Sequence, residues 1–406
     1  MDDMLVSDLA KRLRGGSTRR NALRGLAAGT IAGIAGATGL DAANQGKSRR
    51  RKQRRETRPR QVRRESELSF AALKVMTRNL YLGADLAPIF QAQNAQQVVV
   101  AATRIFAMVQ ATNFPERAKA MAAEIAAADP LLVGLQEVTR WRSQTPADFR
   151  PQPNAEDTEY DFLAILLREL RARDRHYEPV VSVRNSDAEA PRATPTGHQD
   201  IRLTDHDVLL ARTDLPDRVF SVANPQSANF ADALTIPNPV IGDITIRRGW
   251  VAADVTLQGQ TARVVNTHLE PSHPGIQVAQ AEELLAGPMD TPLPVVLIGD
   301  LNSAAGGVGS PSPSDPPTYD NLIAAGFTDA WTATRGDRAG ETWGHDEDLR
   351  NPEPHLSVRF DFILTRGDIA ASTANLVGEK PGDRTPSGLW PSDHAGVWAV
   401  LHFRES

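Results

Sequence analysis

Six short segments of this sequence carry oxygen- and nitrogen-bearing side chains that could converge on one reacting centre. His268 stands two residues from both Asn266 and Glu270. Side chains at i and i+2 of a strand share a face, so these three can point the same way, as can Arg359 and Asp361. Asp300 and Asn302 close the apolar run Leu297-Ile298-Gly299-Asp300-Leu301-Asn302. Glu137 ends Leu135-Gln136-Glu137, Asn79 ends Thr77-Arg78-Asn79, and Asp393-His394 opens the last apolar stretch. A single Asp or Asn at a strand end is ordinarily turn chemistry, and a single His is ordinarily a satisfied structural residue. Recurrence on at least five strand-like segments is what points to a site. Carboxylates and amide oxygens in a chain without cysteine form a hard-ligand set, suited to Mg²⁺ or Mn²⁺ and not to a thiolate zinc centre. Two histidines added to that set point to hydrolysis at phosphorus, where a cation offsets charge on a phosphoryl oxygen and imidazole supplies a proton or a hydrogen bond. No G-x-x-x-x-G-K-[ST], H-E-x-x-H or G-x-S-x-G segment competes with that chemistry.

Such residues need strands to hold them and helices to cover the strands. Leu73 to Leu80 alternates as a strand does, and Leu131 to Val138 reads as a buried one. Gln93 to Val109 reads as a helix; Pro115 opens another with Ala118, Met121, Ala122 and Ile125 on one face, and Asp129-Pro130 stops it. Glu159 to Arg173 predicts an amphipathic helix, and Tyr177 to Val183 and Val208 to Arg212 predict strands. Trp250 to Leu257 and Thr261 to Leu269 flank a hairpin turn at Gln258-Gly259-Gln260. A helix at Gln277 to Ala286 is followed by strands at Val295 to Gly299, Val358 to Thr365 and Ala395 to Phe403. Hairpins mixed with strand-helix units imply an α/β body whose strands are not all parallel. Arg184 to His206, Asn224 to Arg248 and Ser303 to Tyr319 read as long loops, the usual carriers of specificity. The second holds Phe230, Leu234, Ile236, Val240, Ile241 and Ile244, a hairpin over the core or a lipid-facing feature, with inward packing the expected outcome. Asp85 either opens the next turn or lies near a metal, and Asp205-His206-Asp207 serves substrate or metal, or is a solvated loop.

The chain has 406 residues, 41% of them hydrophobic, and no cysteine, which excludes a disulfide framework and thiolate chemistry. Charge is divided unevenly: 17 Lys and Arg against 7 Asp and Glu in residues 1–70, then 28 against 43 in residues 71–406. An acidic body is unsuited to tight non-specific nucleic-acid binding, although a cation or a local basic strip can supply attraction that net charge hides. After residue 70 there is no run of 18 or more apolar residues. Upstream, Ser17-Thr18-Arg19-Arg20-Asn21-Ala22-Leu23 precedes an uncharged Gly25 to Leu40 and resembles a twin-arginine export signal, with a small-x-small site at Ala35-Gly36-Ala37. Residues 1–45 are therefore expected to direct export to the periplasm or medium. Residues 46–70 are expected to form a basic disordered linker able to touch anionic surfaces. Without an export function, the same segment is a basic tail on a cytoplasmic protein.

Taken together, Thr77-Arg78-Asn79-Leu80, Gln136-Glu137-Val138, Asn266-Thr267-His268-Leu269, Gly299-Asp300-Leu301-Asn302, Arg359-Phe360-Asp361-Phe362 and Ser392-Asp393-His394 resemble, in order, the motifs of the endonuclease/exonuclease/phosphatase superfamily. That superfamily includes deoxyribonucleases, abasic-site endonucleases, inositol polyphosphate 5-phosphatases and neutral sphingomyelinases. The resemblance implies that residues 71–406 form a four-layer α/β sandwich, two packed mixed β-sheets flanked by helices, with the site at one end. It implies that Glu137 binds Mg²⁺ or Mn²⁺ with Asp393 beside it, and that Asn79 helps hold the metal or a phosphate oxygen. Asp300 would orient or deprotonate the attacking water, Asn302 would hold the phosphoryl group, and Asn266 joins the substrate-binding set. His394 would act as general acid or transition-state stabiliser, oriented by Asp361, with His268 as the second phosphate-facing imidazole. The deoxyribonuclease branch pairs that second histidine with a carboxylate from an earlier strand. None is placed near Val180-Val181-Ser182-Val183, which leaves Glu270 as a substitute or His268 unpaired. The expected activity is a metal-dependent phosphoesterase acting on nucleic acid, an inositol phosphate or a phospholipid head group, with no stable protein partner implied. A family member that has lost catalysis and binds a surface through its basic segment is the alternative.

If the paired arginines direct export, replacing Arg19-Arg20 by two lysines traps the protein in the cytoplasm, as read by cell fractionation. Normal export of that variant refutes the twin-arginine route.

Overall fold

Strands that bury alternate residues and helices with one apolar face stack here in layers. The computed structural model describes residues 72–150, 152–305 and 317–404; the export-like segment, the basic linker and most of the Ser303 to Tyr319 stretch lie outside the described residues. The first half runs β1 (Leu73–Asn79), α1 (Ala87–Phe90), α2 (Ala95–Ala111), α3 (Phe114–Ala128), β2 (Leu132–Gln136), β3 (Arg140–Gln144), β4 (Asp157–Asp161), α4 (Phe162–Arg171), β5 (Tyr177–Thr194) and β6 (Gly197–Arg212). The second half runs β7 (Phe220–Asn229), β8 (Leu234–Ile236), β9 (Ile244–Ile246), β10 (Gly249–Leu257), β11 (Gln260–His268), α5 (Pro274–Ala286), β12 (Val295–Asp300), α6 (Thr318–Ala324), β13 (Thr328–Asp329), α7 (Ala330–Arg335), β14 (Asp361–Arg366), β15 (Ile369–Val377) and β16 (Gly396–Phe403).

One sheet has the order β15-β16-β1-β2-β6-β3-β4, with β5 paired to β6; the other has the order β13-β14-β12-β11-β10-β7. β1 and β2 run parallel in the first and β11 and β12 in the second. The remaining neighbours are antiparallel. Between the sheets lie Leu73, Val75, Leu132, Leu209, Val264, Val296, Ile298, Ile363 and Val397. Met76, Val133, Leu135 and Leu210 leave the first sheet on its other face and meet Phe106, Phe114, Met121, Ile125, Phe162 and Leu166 of α2, α3 and α4. Val265, Leu297, Phe362 and Leu364 do the same for the second sheet, against Ala281 and Leu284 of α5 and Leu322 of α6. This is the expected four-layer α/β sandwich. Caps set the helix starts: Asn94 accepts from Gln97 N ahead of α2, and Asp161 accepts from Ala164 N ahead of α4.

Toward one end the layer between the sheets changes from apolar to polar. Asn266 is fully buried there and bridges the sheets. Its Oδ1 accepts from Gln136 Nε2 at 2.6 Å, and its Nδ2 donates to Leu135 O at 3.1 Å and Val208 O at 3.2 Å. Gly134 leaves the space this needs, since a Cβ there would lie 2.5 Å from Asn266 Oδ1. With its amide satisfied inside the sandwich, Asn266 is a structural tie, which corrects its expected place in the substrate-binding set.

Two expected loops contain strands. Residues 184–206 belong to the long antiparallel arm of β5 and β6, which share a register from Tyr177↔Arg212 to Thr194↔Gly197. Pro179, Pro191 and a run of polar residues hide this arm in the sequence, and bulges between Pro179 and Val181 and between Arg184 and Asp187 absorb the irregularity. Within residues 224–248, β7 continues to Asn229 and β8 pairs with β9. Phe230, Leu234 and Ile236 are buried, and Asn238 Nδ2 donates to Ala92 O at 3.1 Å, so these residues pack inward, while Ile241 stays exposed. Glu159 lies in β4, and the following helix begins only at Phe162.

Asn266→Ala leaves buried polar groups of both sheets without partners, at about 1–3 kcal/mol per group. A lower denaturation midpoint is expected, and an unchanged one would show that the bridge contributes nothing to stability.

Candidate active site

The parallel pairs of both sheets end at the same edge of the sandwich. In the second sheet His268 pairs in register with Asp300, and Asp300 with Asp361, so three ionisable side chains stand on adjacent strands, about 5 Å apart. In the first sheet Asn79 pairs with Gln136, Glu137 follows directly, and Asp393-His394 lead into β16. Gly299 has φ +147, and a Cβ there would lie 2.1 Å from Thr267 O, so only glycine lets β12 approach β11 just before Asp300. Glu137 and Asn302 take left-handed backbone angles, φ +54 and +49, at the points where their strands end.

The Asn79 amide spans the two sheets. Its Nδ2 donates to Glu137 Oε1 at 3.2 Å and to Asp300 Oδ2 at 3.1 Å, while its Oδ1 accepts from Tyr81 N at 2.9 Å. Glu137 Oε2 accepts from Leu82 N at 2.7 Å. Asp300 Oδ1 accepts from Asn302 N at 2.9 Å, and Asn302 Nδ2 donates to Leu269 O at 3.0 Å. His394 Nδ1 lies 2.8 Å from Asp361 Oδ2. His394 Nε2 and His268 Nε2 each lie 3.6 Å from Asp300 Oδ2. That separation is too long for a hydrogen bond, so two buried imidazoles face one carboxylate oxygen without bonding to it.

Burial works against the charged imidazolium of His394, but Asp361, Asp393 and Asp300 around it push its pKa up to about 10. Burial pushes Asp300 up to about 7, with Asp361 adding to the effect and His394 opposing it. Asp393 rises to about 6 through burial and then the charge of Glu137, against the pull of His394. Asp300, Asp361 and His394 offer ligand atoms within 4.8 Å of one another, and Asp361 Oδ1 is buried with no partner among the described residues. Crowded carboxylates with raised pKa values and an orphan oxygen fit a divalent cation, and oxygen donors favour a hard one.

Several residues that the sequence left open find definite partners. Glu270 does not pair with His268: its Oε1 accepts from Ser272 N at 2.7 Å, and His268 Nδ1 meets Arg248 Nη1 at 2.9 Å. Arg359 precedes β14 and turns to Asp329, over the Phe362 ring, away from the cleft. Asp85 Oδ1 accepts from Ala87 N at 2.8 Å, the turn role. Asp205 and Asp207 are buried on β6, where Asn185 Nδ2 donates to both. The resemblance missed Arg117, a fully buried residue of α3 that sends Nη1 to Leu80 O at 2.7 Å and Pro391 O at 2.8 Å, Nη2 to Tyr81 O at 3.0 Å and Nε to Thr112 O at 2.8 Å. It thereby clamps the segment after Asn79 to the segment before Ser392-Asp393-His394. Its signal was a charge on the apolar stripe Phe114, Ala118, Met121, Ile125.

The chain matches the sequence profile of the Endonuclease/Exonuclease/phosphatase family over residues 108–394. Among solved structures it is similar to a mannosyl-6-phosphatase of Bacteroides thetaiotaomicron VPI-5482, with 15% identity and a TM-score of 0.50, covering 82% of this chain and 100% of that one. A second similar structure is an endonuclease/exonuclease/phosphatase family protein from Bacteroides thetaiotaomicron, with 15% identity and a TM-score of 0.52, covering 82% of this chain and 98% of that one. At that identity the likeness is one of fold. No curated protein sequence matches the chain.

Asp361→Asn removes the carboxylate that orients His394 and is expected to lower kcat by about 10²–10⁴-fold with little change in the melting midpoint. Undiminished turnover would separate this pair from the chemistry.

Proposed function

This chain belongs to the endonuclease/exonuclease/phosphatase family and is a metal-dependent phosphoesterase; we propose that it works by direct attack of a water molecule held at Asp300. The observation that carries this reading is the shared aim of His268 Nε2 and His394 Nε2 at Asp300 Oδ2, each at 3.6 Å. Asp300 takes the proton of the attacking water as its oxygen bonds to phosphorus. His394, held by Asp361 at Nδ1, donates from Nε2 to a phosphoryl oxygen or to the departing ester oxygen as the old P–O bond breaks. His268 donates to a second phosphoryl oxygen, and Asn302, at the turn after Asp300, faces the same group. As the resemblance implies, Glu137 and Asp393 would hold the cation, next to the cluster of Asp300, Asp361 and His394. Asn79 enters this set through its N–H, which keeps Glu137 and Asp300 together, because its oxygen is taken by Tyr81 N. A bound Mg²⁺ or Mn²⁺ supplies neutralisation of the charge that builds on the phosphoryl oxygens.

Nucleic acid, an inositol phosphate and a phospholipid head group all present the phosphoester this chemistry needs. Phe230, Leu234 and Ile236 pack inward, which leaves Ile241 as the exposed large apolar residue of the segment that would face a lipid surface. Export by the twin-arginine route, with residues 46–70 touching anionic surfaces, remains part of the same proposal and rests on the sequence.

Chelation with EDTA is expected to abolish turnover and Mg²⁺ or Mn²⁺ to restore it, measured in parallel on supercoiled plasmid, single-stranded RNA, inositol polyphosphates and sphingomyelin vesicles, with His394→Ala as control. Cleavage of nucleic acid by the wild type alone assigns a nuclease, whereas release of phosphate or phosphocholine assigns a phosphatase or a phospholipase-C-like enzyme. Chelator-resistant turnover, or full activity in His394→Ala, overturns the mechanism.

A further inference from the structure

The two imidazoles that face Asp300 have opposite partners on their far nitrogens. His394 Nδ1 meets a carboxylate, Asp361 Oδ2, at 2.8 Å, whereas His268 Nδ1 meets a guanidinium, Arg248 Nη1, at 2.9 Å. A guanidinium has five N–H donors and no acceptor, so the bond to Arg248 requires a bare, accepting Nδ1 on His268. The ring proton then sits on Nε2, the nitrogen 3.6 Å from Asp300 Oδ2. We infer that Arg248 is a positioning residue that holds His268 in the Nε2–H tautomer, making this imidazole a fixed hydrogen-bond donor to the phosphoryl group and not a base. This assignment rests on the phosphoesterase reading of the site.

Arg248 is itself held in place. Its carbonyl accepts from Phe230 N at 3.0 Å, which fixes the backbone at the start of β10. Asp205 and Asp207, two apart on β6, share Asn185 Nδ2 at 3.3 and 3.0 Å. Both carboxyls are raised by burial, and the charge of Arg248 pulls both back down. The same positive charge, after burial, keeps His268 well below the usual imidazole range, in agreement with the neutral ring that the geometry demands.

The test is the tautomer itself, read in ¹⁵N-histidine-labelled full-length protein from long-range ¹H–¹⁵N spectra at neutral pH, with the His268 signals assigned by their loss in His268→Gln. A protonated Nε2 and a bare Nδ1 are expected; a protonated Nδ1 or a doubly protonated ring overturns the assignment. Arg248→Met should lose the single tautomer and drop kcat by about 10²-fold, as misorientation does, with a smaller change in KM. Arg248→Lys, which keeps a donor for Nδ1 and a cation for the acid pair, should recover the tautomer and part of kcat. A rise in KM alone, with the tautomer unchanged in Arg248→Met, would make Arg248 a substrate contact and sink the proposal. Because the wild-type spectrum needs no turnover, a protein inactive on every phosphoester would overturn the functional reading while the tautomer still judged Arg248.

Discussion

The hydrogen bond from Gln136 to Asn266 crosses the interior at the level where the sandwich stops being apolar. On one side of it Val75, Leu132, Val264 and Ile298 pack the two sheets together; on the other stand Asn79, His268, Asp300 and Asp361. An unsatisfied amide in that position would be costly, and a satisfied one ties β11 to the carbonyls of β2 and β6 at a single register. A slip of one residue in β11 would turn His268 to the outer face of its sheet. The cross-sheet bond between Asn79 and Asp300 therefore presupposes the bridge behind it.

The acidic end of the interior also needs positive charge that does not neutralise it. Arg117 meets this need by bonding backbone carbonyls on four residues, with the rings of Tyr81, Phe114 and Phe162 around its guanidinium. Arg78 pairs with Glu124 and donates to His394 O. Both guanidinia place charge near the carboxylates without bonding to the ones in the cleft. Among the described residues no arginine bonds Asp300 or Asp361, and the backbone segments that carry Asn79 and His394 are fixed from behind.

Much of this was legible in the sequence, and for a physical reason. Asn79, Glu137, His268, Asp300, Asp361 and His394 interrupt apolar strands at their ends, and the period of two tells which of them share a face. The alternation gave an α/β body with mixed strands, and the four-layer sandwich came from the resemblance of the motifs to the superfamily. Residues whose meaning depends on a distant partner were harder to read. Asn266 has the spacing of a cleft residue, but its depth in the sandwich assigns it to the bridge. Glu270 lies two residues past His268, but the strand has ended and the next turn claims its carboxylate. Arg248 and His268 lie 20 residues apart, and no local pattern joins them. The β5–β6 arm was hidden because its polar residues and prolines erase the alternation by which strands are recognised.

Glu137 and Asn302 have left-handed backbones, at an expense of about 1–2 kcal/mol for a residue with a Cβ, less for asparagine. Glycine would relax both positions and delete both functional side chains. Redesign of this scaffold for thermal stability alone would therefore be drawn first to two residues of its own cleft, and a more robust but inactive protein would be the natural product of such a search.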